Sequence, residues 1–169
     1  MKTHLVFAVM TALLLAFVVS QTQHKTLTFD LIIDQAEQLS QSKSIPTPEV
    51  DSKTLRSLNY DQYRDIRWRD DHTLWRTKGL PFQAKFFFTG STHSKPVTFF
   101  QVNRESAGPI RFSTDFFDFG KNSIAAAETE KGGFSGFRVH YPMNRSDYLD
   151  EVFVFLGASY FRAVAKDLV

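Results

Sequence analysis

The residues best suited to chemistry in this chain are its carboxylates and its ring-bearing side chains. Asp115 and Asp118 sit among Phe112, Phe116, Phe117 and Phe119, while Asp147, Asp150 and Glu151 follow a polar stretch. Cleaving a glycosidic bond takes two acids flanking that bond, so such pairs are the first place to look. Aspartate is also a preferred turn residue, and as isolated residues Asp115 and Asp118 read as turn formers, with Asp147 in a loop or cap. Aromatic rings can stack on the apolar faces of sugars. Trp68, Trp75, Tyr141 and Tyr160 are the rings available for this, with Arg138 and Arg162 as donors to hydroxyls. The competing use of aromatic residues is core filling, which is the reading for the Phe residues. Trp75, in Asp71-His72-Thr73-Leu74-Trp75-Arg76, stands open between the two. The carbohydrate-binding set is therefore Trp75, Tyr160 and Arg162, with no catalytic residue assigned.

Other chemistries find less support. The five His residues show no paired spacing and the chain has no Cys, so neither a metal site nor a cofactor is expected. A thiol nucleophile, a disulfide framework and a lipid-modified Cys are excluded on the same ground. Gly132, Gly133 and Gly136 superficially resemble a phosphate loop, but no lysine follows in the right place and a strand does. They read as turn and close-packing glycines. Ser159 lacks the flanking glycines of a nucleophile elbow and reads as a strand residue.

The elements that must position these residues are mostly strands. Ile32, Ala36 and Leu39 recur at helical spacing within Phe29–Ser42, opposite Asp34, Glu37 and Gln38. Pro46-Thr47-Pro48 reads as an extended linker. Leu55, Leu58 and Tyr60 predict a further helical turn after a capping Ser52. From Tyr63 onward the period shortens. Phe82–Thr89 alternates, with Phe82, Ala84, Phe86 and Phe88 on one face. Val97–Asn103 is a second strand, expected to form a hairpin with the first across a longer loop. Pro109–Ser113 is a third, short strand. Residues 115–120 form an aromatic turn, and 121–133 a loop with a helical turn. Phe134–Tyr141 alternates again, 142–150 is a loop, and Val152–Leu156 and Ser159–Val164 are the last strands. Helical pieces followed by six or seven short strands predict a β-sandwich.

Composition bounds the rest. The chain has 169 residues, 20 Lys+Arg against 18 Asp+Glu, and 15% aromatic residues, 18 of them Phe. That charge balance gives no basic patch for nucleic acid. Leu5–Val19 is apolar or small without a charge, which suits a signal-peptide core and falls short of the roughly 20 residues a spanning helix needs. Cleavage is expected near Ser20–Gln21, before a polar segment through Thr26. The reading of the chain is then 1–20 signal peptide, 21–50 helix and linker, and 51–169 an incomplete β-sandwich domain. An exported domain without Cys fits a bacterial periplasm, with no membrane association after cleavage.

Several blocks together resemble one family. They are Asp61-Gln62-Tyr63-Arg64-Asp65-Ile66-Arg67-Trp68, Leu80-Pro81-Phe82-Gln83, Phe116-Phe117-Asp118-Phe119-Gly120, Gly133 through Val139, Tyr141-Pro142-Met143-Asn144, and Leu156-Gly157-Ala158-Ser159-Tyr160-Phe161-Arg162. Their order and spacing are similar to the periplasmic glucan biosynthesis proteins of Gram-negative bacteria, G and D types, from about Thr28 to Arg162. The resemblance implies a mainly β chain, part of a large carbohydrate-active β-sandwich preceded by one or two short helices. It implies a role in making osmoregulated periplasmic glucans with a β-1,2-linked backbone, and a β-glucan as partner. It further implies glucan hydrolysis for D-type members through acids downstream of the matched blocks, so no catalytic acid is carried onto this chain. After Arg162 the glycine-rich pattern of the family does not continue, and an N-terminal piece with uncovered Phe-rich faces is expected. Two alternatives use the same residues differently: a non-catalytic carbohydrate-binding sandwich module, and a lipid-handling protein whose aromatics line an apolar cavity.

Overall fold

A computed structural model describes residues 28–42, 47–103, 107–157 and 160–166. The proposed signal peptide and its cleavage site, the polar segment to Thr26 and Ser159 lie outside them. The described residues fall into two compact units. The first includes a helix, α1 (Phe29–Gln41), and a two-stranded ribbon of β3 (Phe100–Val102) with β4 (Ala107–Pro109). Thr28 Oγ1 accepts from the Leu31 amide at 3.2 Å, which satisfies one orphan donor at the start of α1. No residue of α1 is buried, and Ile32 and Leu39 are 46% and 66% exposed.

The second unit carries the site. It opens with α2 (Lys53–Arg56) and α3 (Tyr60–Asp65). Ser52 caps α2 as the sequence predicts, accepting from the Leu55 amide at 3.1 Å. Its hydroxyl also donates to Glu128 Oε2 at 2.5 Å, tying α2 to α4 (Ala126–Thr129). The helix α3 corrects the reading of extended chain from Tyr63. Asn59 and Gln62 form a reciprocal capping box, with bonds of 2.9 and 3.0 Å, and this local chemistry holds the helix through Asp65.

Four antiparallel strands form the main sheet in the order β2 (Gln83–Phe88), β6 (Phe134–Tyr141), β7 (Asp150–Leu156) and β8 (Tyr160–Ala163). The predicted hairpin of β2 with the next strand does not form. The neighbour of β2 is β6, with Phe86 opposite Phe137 and Lys85 opposite Arg138. Residues 110–113 are not a strand either: β4 ends at Pro109, and the Ile110 amide donates to the Phe99 carbonyl at 2.8 Å. A short separate ladder pairs β1 (Arg67–Trp68) with β5 (Phe117–Asp118), and Leu74 bridges to Ala84 on the outer edge of β2.

Period 2 explains the two faces of the sheet. Ala84, Phe86 and Phe88 point into the core, where Trp68 meets Phe86 at 5.2 Å and Phe117 at 5.3 Å between ring centroids. Phe134, Phe112 and Phe99 complete this cluster. The two ladders thus meet across one aromatic core, in the layered manner of a sandwich, and the chain is mainly β. Gly132 permits that packing, since a Cβ there would lie 2.5 Å from the Phe88 ring. The opposite face is mixed and carries Lys85, Arg138, His140 and Arg162, with Phe87 and the buried Val154 among them.

Candidate functional site

That mixed face borders a groove. Three adjoining depressions, of about 780, 830 and 690 Å³, share Arg67 as a common wall. The first lies between α3 and the loop at Lys121–Ser123, with Asp61, Gln62 and Asn122 as polar walls. In the second, Arg69, Asp70 and Asp71 face Lys85 and His140 of the sheet, with Asp118 beyond. Tyr60, Tyr63, Phe87, His93 and Arg138 line the third. Volumes of this order suit a small-molecule ligand.

The sequence positions these groups by simple means. Alternation along β1 buries Trp68 and leaves Arg67 exposed beside it. Alternation along β2 leaves Lys85 half-buried between the buried Ala84 and Phe86. Lys85 Nζ donates to Asp70 Oδ1 at 2.5 Å, and this bond holds the Asp70 carboxyl below its usual range. Asp71 is lowered too, first by the hydrogen bond from Arg69 at 3.3 Å. Burial lowers His140, and the Lys85 and Arg138 charges push the same way. His140 is therefore neutral at pH 7. Arg138 is held twice: its guanidinium lies 4.6 Å from the centroid of the Phe87 ring, and Nη1 donates to Glu151 at 3.3 Å. Its buried Nε, the Trp68 Nε1 and the His140 Nδ1 have no hydrogen-bond partner among the described residues.

Tyr63 anchors the third depression. Its hydroxyl donates to the Phe88 carbonyl at 2.9 Å and lies 3.3 Å from the buried Ser135 Oγ. Burial raises its pKa, so the phenol stays protonated as a donor. The loop beside it is closed by reciprocal bonds between Gly90 and His93, of 3.1 and 2.9 Å, with Ser91 held at φ 51°.

The residues expected to bind sugar are not gathered in one place. Tyr160 and Arg162 share one face of β8, and Arg162 donates to Glu151, the same carboxylate that holds Arg138. They thus extend the mixed face past the groove. Trp75 lies beyond β2, in a left-handed conformation with φ 68° before a short 3-10 turn, and none of the three depressions includes it. The turn reading of the Asp pair agrees with its bonds: Asp115 accepts from Ser113 Oγ at 3.2 Å and Asp118 from the Gly120 amide at 2.9 Å. Trp68 is core, at 7% exposure. Tyr141 stacks on Phe82 at 4.7 Å. Sequence reading missed Tyr60, Arg64, Arg67, Asp70 and Lys85. The alternating charges of Arg64-Asp65-Ile66-Arg67-Trp68-Arg69-Asp70 are the signal that marks most of them.

The fold and the groove define a mainly β protein with open depressions along one sheet face. Residues 27–169 match the family described as "Periplasmic glucan biosynthesis protein, MdoG". The chain belongs to that family. It is 44% identical over 135 residues to a glucans biosynthesis protein G of Ralstonia nicotianae, covering 80% of this chain and 27% of that protein. A protein of the same name from Rhodopseudomonas palustris is 41% identical over 149 residues, which is 87% of this chain and 30% of the relative. One from Vibrio cholerae is 36% identical over 137 residues, 81% and 25% respectively. The chain thus spans some three tenths or less of the length of these curated relatives. Its family is a periplasmic one, and no helix among the described residues is long and apolar enough to cross a membrane.

Proposed function

We propose that this chain takes part in periplasmic glucan biosynthesis by holding a β-glucan oligosaccharide, with a β-1,2-linked backbone, along the groove that runs past Arg67. The observation that carries this is the run of three adjoining depressions, each with both polar groups and side-chain walls suited to sugar. Rings at Tyr60, Tyr63 and Phe87 supply flat apolar surface, while Lys85, Asp70, His140 and Arg138 supply donors and acceptors for hydroxyls. Tyr160 and Arg162 continue the mixed face and extend contact to further glucose units, with Trp75 as an outlying ring. The reading includes export to the Gram-negative periplasm by cleavage after residue 20.

Titration of the purified chain with linear β-1,2-gluco-oligosaccharides, followed by calorimetry, tests the reading. Saturable binding is expected, weakened about fivefold or more by Lys85→Ala, a loss of about 1 kcal/mol as for one hydrogen bond. No binding by chain that shows a native circular dichroism spectrum overturns it. The role assigned is binding without bond cleavage, so reducing ends should not accumulate during long incubation.

A further inference from the structure

The three depressions differ in charge. In the first, Asp61 and Asp65 stand among Arg64, Arg67 and Lys121, and in the second, Asp70, Asp71 and Asp118 stand among Arg67, Arg69, Lys85 and Arg138, so both mix the two signs. No carboxylate lines the third, which instead has three guanidinium groups, Arg64, Arg67 and Arg138, around Tyr60, Tyr63 and Phe87. Two of these cations are partly balanced from outside the depression. Arg67 lies 3.7 Å from Asp65, and Arg138 donates to Glu151 at 3.3 Å. Arg64 takes part in none of the ion pairs among the described residues and is exposed at the end of α3. His93, against the Tyr63 ring at 5.6 Å, adds no charge at neutral pH because burial lowers its pKa.

Guanidinium groups recognise carboxylate and phosphate oxygens through paired N–H donors, and the adjoining rings give a sugar an apolar face to rest on. We infer that the third depression is a subsite for a sugar unit carrying an anionic substituent, a carboxylate or a phosphate, with Arg64 as the group that selects for charge. The inference rests on the glucan-binding reading above and assigns one part of that groove a distinct preference.

The test titrates the purified chain with glucose, glucose 6-phosphate, glucuronate and inorganic phosphate, and with a neutral β-1,2-gluco-oligosaccharide on the same sample. At low ionic strength at least one charged sugar should bind about tenfold tighter than glucose, equivalent to about 1.4 kcal/mol. Whichever of glucose 6-phosphate and glucuronate gains more identifies the anion. The preference should shrink as salt screens the exposed cations. It should fall below about threefold in Arg64→Gln, whose exposed position spares the fold. Equal affinity for glucose and both charged sugars overturns the inference and leaves the glucan reading standing. So does an undiminished preference in Arg64→Gln, or inorganic phosphate binding as tightly as glucose 6-phosphate. Charged sugars binding where the neutral oligosaccharide does not would overturn the glucan reading alone; no binding by any probe overturns both.

Discussion

His93 and His140 set the acid response of this chain. Burial lowers both pKa values, so each folded imidazole protonates less readily than a free one, near pH 6.5. As pH falls, the unfolded chain takes up protons first, and stability declines from about pH 6.5 downward until the folded imidazoles also protonate. Above that range the full stability is present. Around His140 the cations of Lys85 and Arg138 reinforce burial, while Glu151 and Asp70 oppose it. Melting temperature should therefore drop between about pH 7 and pH 5, before free carboxylates titrate. His93→Asn with His140→Asn should flatten that part of the profile; an unchanged slope would refute the assignment. Backbone constraint at Gly120 gives a second prediction at this scale. Its φ is 57°, and a Cβ there would fall onto the Asp65 carboxylate, which accepts from the Lys121 amide at 2.7 Å. Gly120→Ala should cost more than about 1 kcal/mol in urea unfolding, since both left-handed strain and this clash act against it.

Among the elements, caps carry more weight than helix length. The helix α2 has only 4 residues, too few to persist without its cap and its packing. Ser52 is 2% exposed and serves both the Leu55 amide and Glu128. Ser52→Ala should cost about 1–2 kcal/mol, and Ser52→Thr should recover part of it, read by chemical denaturation. Most of the strands are legible in the amino-acid order because alternation is local: β6 coincides with the predicted Phe134–Tyr141, and Ala84, Phe86 and Phe88 are the buried face foreseen for β2. Strand partnership is not legible in the same way. Alternation tells which side of β2 is apolar, but the choice of β6 over the next strand is settled by distant aromatics, Phe134 and Phe137, that no window around β2 contains. The groove is hidden for the same reason. Arg67, Lys85 and Arg138 are ordinary cations in sequence, and line one depression only once β1 and the β2–β6 pair are folded together.

Over the whole sheet, one aromatic row records how cover changes from strand to strand. Register places Phe86, Phe137, Phe155 and Phe161 in line across β2, β6, β7 and β8. Phe86 is 3% exposed beneath Trp68 and Phe99, Phe137 and Phe155 are half-buried, and Phe161 is 62% exposed. The outer side of β8 pairs with no strand among the described residues, so its backbone groups are open along with its ring. An unpaired edge next to exposed aromatic surface is a template for association. The chain should therefore bind an apolar dye and sediment with concentration-dependent mass. Phe161→Lys should reduce both effects, because a charge on the apolar side of an edge strand opposes edge-to-edge pairing, while leaving the core around Trp68 and its fluorescence unchanged. A wild-type chain that stays monomeric and dye-free at high concentration would show that this face is covered in solution. Loss of native Trp68 fluorescence in Phe161→Lys would show instead that the row works as one cooperative core from β2 to β8.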